Sequence, residues 1–165
     1  MPNSNTDQVH AQAPPTCDNP NPAIRLLRAY SAGAKDHFYT ADVAEHDNFV
    51  NKLGYSDEGV TGYIFSYPDS HSVPLYRLYS STATDHFYTT SAVERDNARR
   101  FEGYDYEGIT GYGYPDAAYG GFPLYRLYSS GATDHFYTMS AAERDNAINN
   151  LGYAQEGIVG YIFPS

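Results

Sequence analysis

One pentad of chemistry-bearing residues occurs three times: Asp36-His37-Phe38-Tyr39-Thr40, Asp85-His86-Phe87-Tyr88-Thr89 and Asp134-His135-Phe136-Tyr137-Thr138, each 49 residues after the last. Four kinds of chemistry are open to it. In a structural role, Asp ends a hairpin loop with a backbone hydrogen bond, Phe fills the core and His satisfies a buried carbonyl. A metal centre needs His37, His86 and His135 to meet on an axis, as three ligands leaving one position open. Within a repeat no cluster has ligand spacing, so no metal and no other cofactor is expected. Catalysis needs an acid and a base in different environments, whereas near-identical copies supply one environment three times. A nucleophile elbow, a phosphate loop and a zinc motif are also missing, so no enzyme is expected. Binding without chemistry fits the repetition best. A sugar presents an apolar C–H face and a rim of hydroxyls, met by an aromatic ring beside groups that donate and accept. Repeating a weak site gains avidity.

The expected function is therefore that of a multivalent, non-catalytic carbohydrate-binding protein, a lectin, with up to three equivalent shallow pockets. In each, Asp36, Asp85 or Asp134 accepts from sugar hydroxyls, because an ionised carboxylate forms the stronger, charge-assisted bonds. His37, His86 or His135 stands at the rim. Tyr63, Tyr112 or Tyr161 offers the stacking face, and Tyr39, Tyr88 or Tyr137 a second aromatic wall. The alternative is a protein-binding module, such as a protease inhibitor. Its function would sit in the linkers 66–73 and 115–122, which are equal in length and unrelated in sequence.

The elements that must position these residues share the same register. The 49-residue offset also relates Arg28, Arg77 and Arg126, Gly54, Gly103 and Gly152, and Glu58, Glu107 and Glu156, with no insertion. In the middle repeat, Leu75–Tyr79 reads as a strand and His86–Thr89 as its hairpin partner. Ser91 with Glu94 reads as a capping box opening a helix of about ten residues. Gly103 stands where a left-handed C-terminal cap belongs, and 107–112 returns as a strand. Period-two alternation places one Arg and one Glu of each repeat on the inward face, where buried charges want partners. Pairing of Arg28, Arg77 and Arg126 with Glu58, Glu107 and Glu156 is expected, within or between repeats. Asp47 and Asn48, with their copies, are expected to bond a neighbouring repeat. The fold class is β-rich: three ββαβ repeats around a pseudo-threefold axis, β-trefoil-like or three-bladed-propeller-like.

The string Pro-Leu-Tyr-Arg-Leu-Tyr-Ser, Asp-His-Phe-Tyr-Thr, Ala-x-Glu-Arg-Asp-Asn, Leu-Gly-Tyr and Glu-Gly-Ile resembles a tandem-repeat family. That family is a domain of unknown function from secreted and cell-surface proteins of Gram-positive bacteria and fungi, often beside cell-wall hydrolases. The resemblance covers Arg25 to Phe163. It implies attachment to glycans or cell-wall polysaccharide and an extracellular or wall-associated location. Bacterial members often carry Trp in the last strand, so Tyr63, Tyr112 and Tyr161 would take its stacking role here. The first repeat departs from the pattern: Leu27 and Ala29 stand where the second has Tyr76 and Leu78, and Lys35 stands where it has Thr84.

Composition agrees. A net charge of −10 argues against a nucleic-acid partner, which needs a basic face, and against anionic membranes. No apolar run is long enough for membrane insertion. With 18 Tyr, 8 Phe and no Trp, the chain reads as β-rich and hydroxyl-rich. The single Cys17 excludes an internal disulfide. Residues 1–20 lack the apolar residues needed to offset ordering entropy and are expected to be a flexible tail, without the apolar centre of a signal peptide. That lack alone would favour the cytoplasm. Residues 21–165 are expected to form one domain of three repeats, about 25–73, 74–122 and 123–165.

Overall fold

The computed structural model describes residues 21–164. The tail expected over 1–20, with Cys17, lies outside the described residues. The first apolar run of each repeat forms a strand that pairs antiparallel with its pentad on one side and with the last strand on the other. These triplets are β1 (Ala23–Ser31), β2 (Asp36–Thr40) and β3 (Ser56–Phe65); β4 (Val73–Ser80), β5 (Asp85–Thr89) and β6 (Asp105–Gly113); and β7 (Phe122–Ser129), β8 (Asp134–Thr138) and β9 (Ala154–Ile162). A helix precedes each last strand: α1 (Val43–Lys52), α2 (Ala92–Phe101) and α3 (Ala141–Asn150). The protein is β-rich, with a curled half-barrel sheet. Its six strands run β2-β1-β3-β6-β4-β5, and β8-β7-β9 form a second sheet.

Local chemistry sets the helix ends. Ser91 and Ser140 accept from the backbone N–H of Glu94 and Glu143, and Asp42 from that of Ala44. Gly54, Gly103 and Gly152 follow the helices at φ of 80°, 75° and 77°, a conformation that costs glycine little. The capping box is only half made. Glu94 does not return to the Ser91 backbone; the Ser91 N–H donates to Thr89 Oγ1 instead, which frees the Glu carboxylate for a partner elsewhere.

A bulge aims each inward Glu. Between the pairs Leu27↔Val60 and Ala29↔Asp57, Arg28 faces two residues of β3, Glu58 and Gly59, and Gly59 takes φ 82°. An extra residue bends the strand and redirects its neighbour. It carries Glu58 to Arg28 Nε at 3.0 Å, with Glu107–Arg77 and Glu156–Arg126 at the same distance.

The ends of the last strands bridge one another in rotation: Phe65 with Tyr112, Tyr114 with Tyr161, and Tyr63 with Phe163. Gly62 allows this approach, since a Cβ there would stand 2.9 Å from the Phe163 carbonyl oxygen. The main buried cluster joins Leu26, Leu75 and Leu124 to Ile64, Ile162 and the three pentad tyrosines. Among the described residues, no helix is long and apolar enough to cross a membrane.

Candidate functional site

The pentad strands are buried along their whole length, and they contact one another. Their aspartates are 0% exposed. Each holds the histidine of the next repeat. Asp36 Oδ1 accepts the His86 backbone N–H at 2.8 Å, and Oδ2 meets His86 Nδ1 at 2.6 Å. Asp85 does the same for His135, and Asp134 closes the ring on His37. A carboxylate only accepts, so Nδ1 carries the proton. Tyr55, Tyr104 and Tyr153 donate a further hydrogen bond to Asp36, Asp85 and Asp134. The His Nε2 atoms stand 3.5, 3.5 and 3.3 Å from Glu58, Glu107 and Glu156. Burial lowers the pKa of His135, but its bonds to Asp85 and Glu156 outweigh that and raise it to about 9. It is therefore an imidazolium at neutral pH.

A second ring lies beside the first. Tyr39, Tyr88 and Tyr137 are 1% exposed and meet edge to face with centroids 5.2–5.4 Å apart. Each hydroxyl donates to one neighbour's carbonyl and accepts the N–H of that same neighbour. Tyr39, for example, donates to the Tyr137 carbonyl at 2.7 Å and accepts from the Tyr137 N–H at 2.8 Å. Burial pushes all three phenols far above their usual range.

A third ring is ionic. Arg28 binds Glu143 bidentately at 2.8 and 3.0 Å, Arg77 binds Glu45, and Arg126 binds Glu94. These are the glutamates released from the capping boxes. Burial raises the pKa of Glu45 and Glu94, but the arginines outweigh it and hold both carboxyls below their ordinary value. For Glu143 the Arg28 bond is itself the largest influence, in the same direction. Each guanidinium also lies over a pentad Phe of the preceding repeat: Arg28 over Phe136 at 5.2 Å, Arg77 over Phe38 at 5.2 Å, Arg126 over Phe87 at 5.0 Å. The expected Arg–Glu pairing thus forms within repeats, and a stronger bidentate pair forms between them.

These rings correct the expected site. Asp36, Asp85 and Asp134 cannot accept from sugar hydroxyls, because they are enclosed and their oxygens already accept from the chain. Tyr39, Tyr88 and Tyr137 are core, with their hydroxyls engaged on backbone. Tyr63, Tyr112 and Tyr161 are half-buried and lie at the far end of the sheet. Tyr63 faces Arg25 whereas His37 faces Tyr30, five residues along β1, or roughly 17 Å. The pentad and its proposed stacking ring therefore do not meet. Asp96 and Asp145 bond the adjacent Arg95 and Arg144 on their own helices rather than a neighbouring repeat, and Asp47 stands by its own neighbour His46.

A carboxylate oxygen from each of Asp36, Asp85 and Asp134 lies within 4.8 Å of the others. Such a cluster has the spacing to hold a cation, yet its oxygens already accept from the histidines and from Tyr55, Tyr104 and Tyr153. The imidazoles do not form a ligand set among the described residues.

His37 lines a cleft of about 750 Å³ between the first and third repeats. Arg28, Tyr30, Lys35 and Glu58 line one side, and Phe136, Glu143, Asn146 and Tyr153 the other. Tyr30 lies against His37 with centroids 4.4 Å apart. Sequence reading missed Tyr30, Tyr153 and Lys35 as site residues. Their signal was the departure of Lys35 from its threonine counterparts and the recurrence of Tyr30 as Tyr79 and Tyr128.

No curated protein and no solved structure matches the chain. A family model does match, over residues 25–163, the span of all three pentads and of the rings they build. The chain belongs to the family described as a domain of unknown function (DUF5648).

Proposed function

We propose that the protein is a non-catalytic, multivalent glycan-binding protein, a lectin, whose sites are the clefts between repeats rather than the pentads. The cleft of about 750 Å³ between the first and third repeats carries the reading. It combines aromatic edges from Tyr30 and Tyr153 with the donors and acceptors of Asn146, Glu58 and Glu143, the pairing of groups that a sugar ring needs. The ionic groups at its base already hold one another, so they serve as fixed hydrogen-bonding rims rather than as acids or bases.

The proposed architecture is three ββαβ units about a pseudo-threefold axis, closer to a three-bladed propeller than to a β-trefoil. The rotation of the Asp–His, Tyr–Tyr and Arg–Glu bonds from junction to junction supports it, as does the pairing of each pentad strand at one edge of its triplet. The number of open sites follows from one position per junction. Ala147 lines the cleft between the third and first repeats, and Ala98 is its counterpart between the second and third. Phe49 takes that place between the first and second, stacked on Phe38 at 3.6 Å. Two sites are proposed, in an extracellular or wall-associated protein.

A glycan array probed with the native protein and with the double variant Ala98→Phe, Ala147→Phe tests this. Retention of glycans by the native chain and their loss in a folded double variant is the expected result. Equal binding by both would remove the clefts from the reading, and no retained glycan would remove glycan binding. A second reading, protein binding through the linkers, draws on Tyr119, which is 41% exposed and stacks on His71 at 4.5 Å. Tyr114 also donates to Asp69. If only changes within 66–73 or 115–122 alter binding, that reading replaces the first.

A further inference from the structure

Charge separates the two proposed clefts. In the cleft between the first and third repeats, Arg28 is ion-paired on two sides: its Nη atoms bond Glu143, and its Nε lies 3.0 Å from Glu58. His37 Nδ1 bonds Asp134 Oδ2, away from these groups. One guanidinium against two glutamates leaves a surplus of one negative charge. The equivalent set between the second and third repeats, Arg126 with Glu94 and Glu156, carries the same surplus. A surplus of this sign repels an anion from either cleft.

Lys35 changes the balance at one of them. It lines the first cleft and has no ion pair among the described residues. Its counterparts, Thr84 and Thr133, are neutral. The backbone aims this side chain. Lys35, Thr84 and Thr133 take φ of 57°, 55° and 55°, a left-handed conformation that is uncommon for any side chain and an outlier for β-branched threonine. The turn is held in each repeat by a serine hydroxyl: Ser31, Ser80 and Ser129 accept from the N–H of Ala34, Ala83 and Ala132. The position is built to the same geometry three times, and only its first copy bears a cation.

We infer that the cleft between the first and third repeats selects a carboxylate-bearing saccharide, with the acid group on the Lys35 ammonium and the sugar ring between Tyr30 and Tyr153. The inference rests on the glycan-binding reading. Lys35 offsets the glutamate surplus in this cleft alone, so the other proposed cleft takes neutral sugars. An ammonium–carboxylate bond in a partly enclosed site strengthens binding roughly tenfold over the neutral sugar.

The test is an array bearing uronic-acid and neutral glycans, read at low and high salt with the native protein, Lys35→Thr and Thr133→Lys. Lys35→Thr reproduces the residue that the same turn already carries twice, so the fold is retained. The expected result is roughly tenfold loss of acidic-glycan binding in Lys35→Thr, seen as a fall in the ratio of acidic to neutral binding. Thr133→Lys should gain acidic-glycan binding, and high salt should erase the acidic preference. Unchanged acidic binding in Lys35→Thr would overturn the inference and leave the glycan reading standing. Absence of both glycan classes from the native protein would overturn both.

Discussion

The first-to-second and third-to-first junctions share every inner contact and differ at their rims. Both have an Asp–His pair, a Tyr hydroxyl on backbone and a bidentate Arg–Glu pair. At the rim, Phe49 stacks on Phe38 in one junction, while Ala147 leaves Phe136 beside a cleft in the other. The inner contacts hold neighbouring repeats against one another in the interior, so each junction must keep them. The rim is free of that duty. It is filled in one place and open in another, and the open place is where the proposed ligand would sit.

If the inner layer is equivalent at all junctions, breaking it anywhere should cost alike. Asp36→Ala, Asp85→Ala and Asp134→Ala each strand an imidazole, a backbone N–H and a tyrosine hydroxyl in the interior. Removing one partner of a buried pair costs about 3–5 kcal/mol, and chemical denaturation should give three similar losses. Strongly unequal losses would break the equivalence.

Alkaline titration probes the same layer without mutation. The pKa of His135 is raised from 6.5 to about 9, so its contribution is complete below pH 6.5 and lost as pH rises through about 9. The linkage is on the order of 3 kcal/mol. Glu45, Glu94, Glu143 and Glu156 are shifted down, so their contribution is present above pH 4.5 and fades as pH falls below it. Thermal melts should show a plateau between these limits. A melting temperature still rising from pH 8 to 10 would contradict the Asp85–His135 charge pair.

Tyr88→Phe removes a hydroxyl that serves a buried N–H of its own ring neighbour and a carbonyl of the same residue, Tyr39. Leaving them unpaired costs roughly 2–3 kcal/mol, and Tyr39→Phe and Tyr137→Phe should match it.

The rim variants carry the smallest effects on stability. Phe49→Ala should cost about 2 kcal/mol, below the range for a fully buried Phe because Phe49 is half-exposed, and should add a third binding site by calorimetric stoichiometry. Ala147→Phe should change stability by about 1 kcal/mol while removing a site. A native-like stoichiometry in both variants would show that the rim difference has no functional weight.

Much of this was legible from residue order. The unbroken 49-residue register, the hairpins, the Ser and Asp helix starts and the glycine stops follow from local chemistry. Each depends on neighbours a few residues apart, and the structure carries them all. Partner choice did not follow, because every repeat offers the same groups. Asp36 has His37 beside it in the chain, yet bonds His86, 50 residues on. Glu94 stands where a capping box would keep it local, and leaves for Arg126 because a bidentate charged pair in a half-buried place outweighs one backbone bond. Burial was equally hidden. An Asp-His-x-Tyr string reads the same whether it lines a pocket or an axis, and only the packing of three copies against one another encloses it. Lys35 and Phe49 were visible as departures from the repeat, but their meaning depended on which repeats become neighbours, and only the closed tertiary structure brings the first repeat against the third.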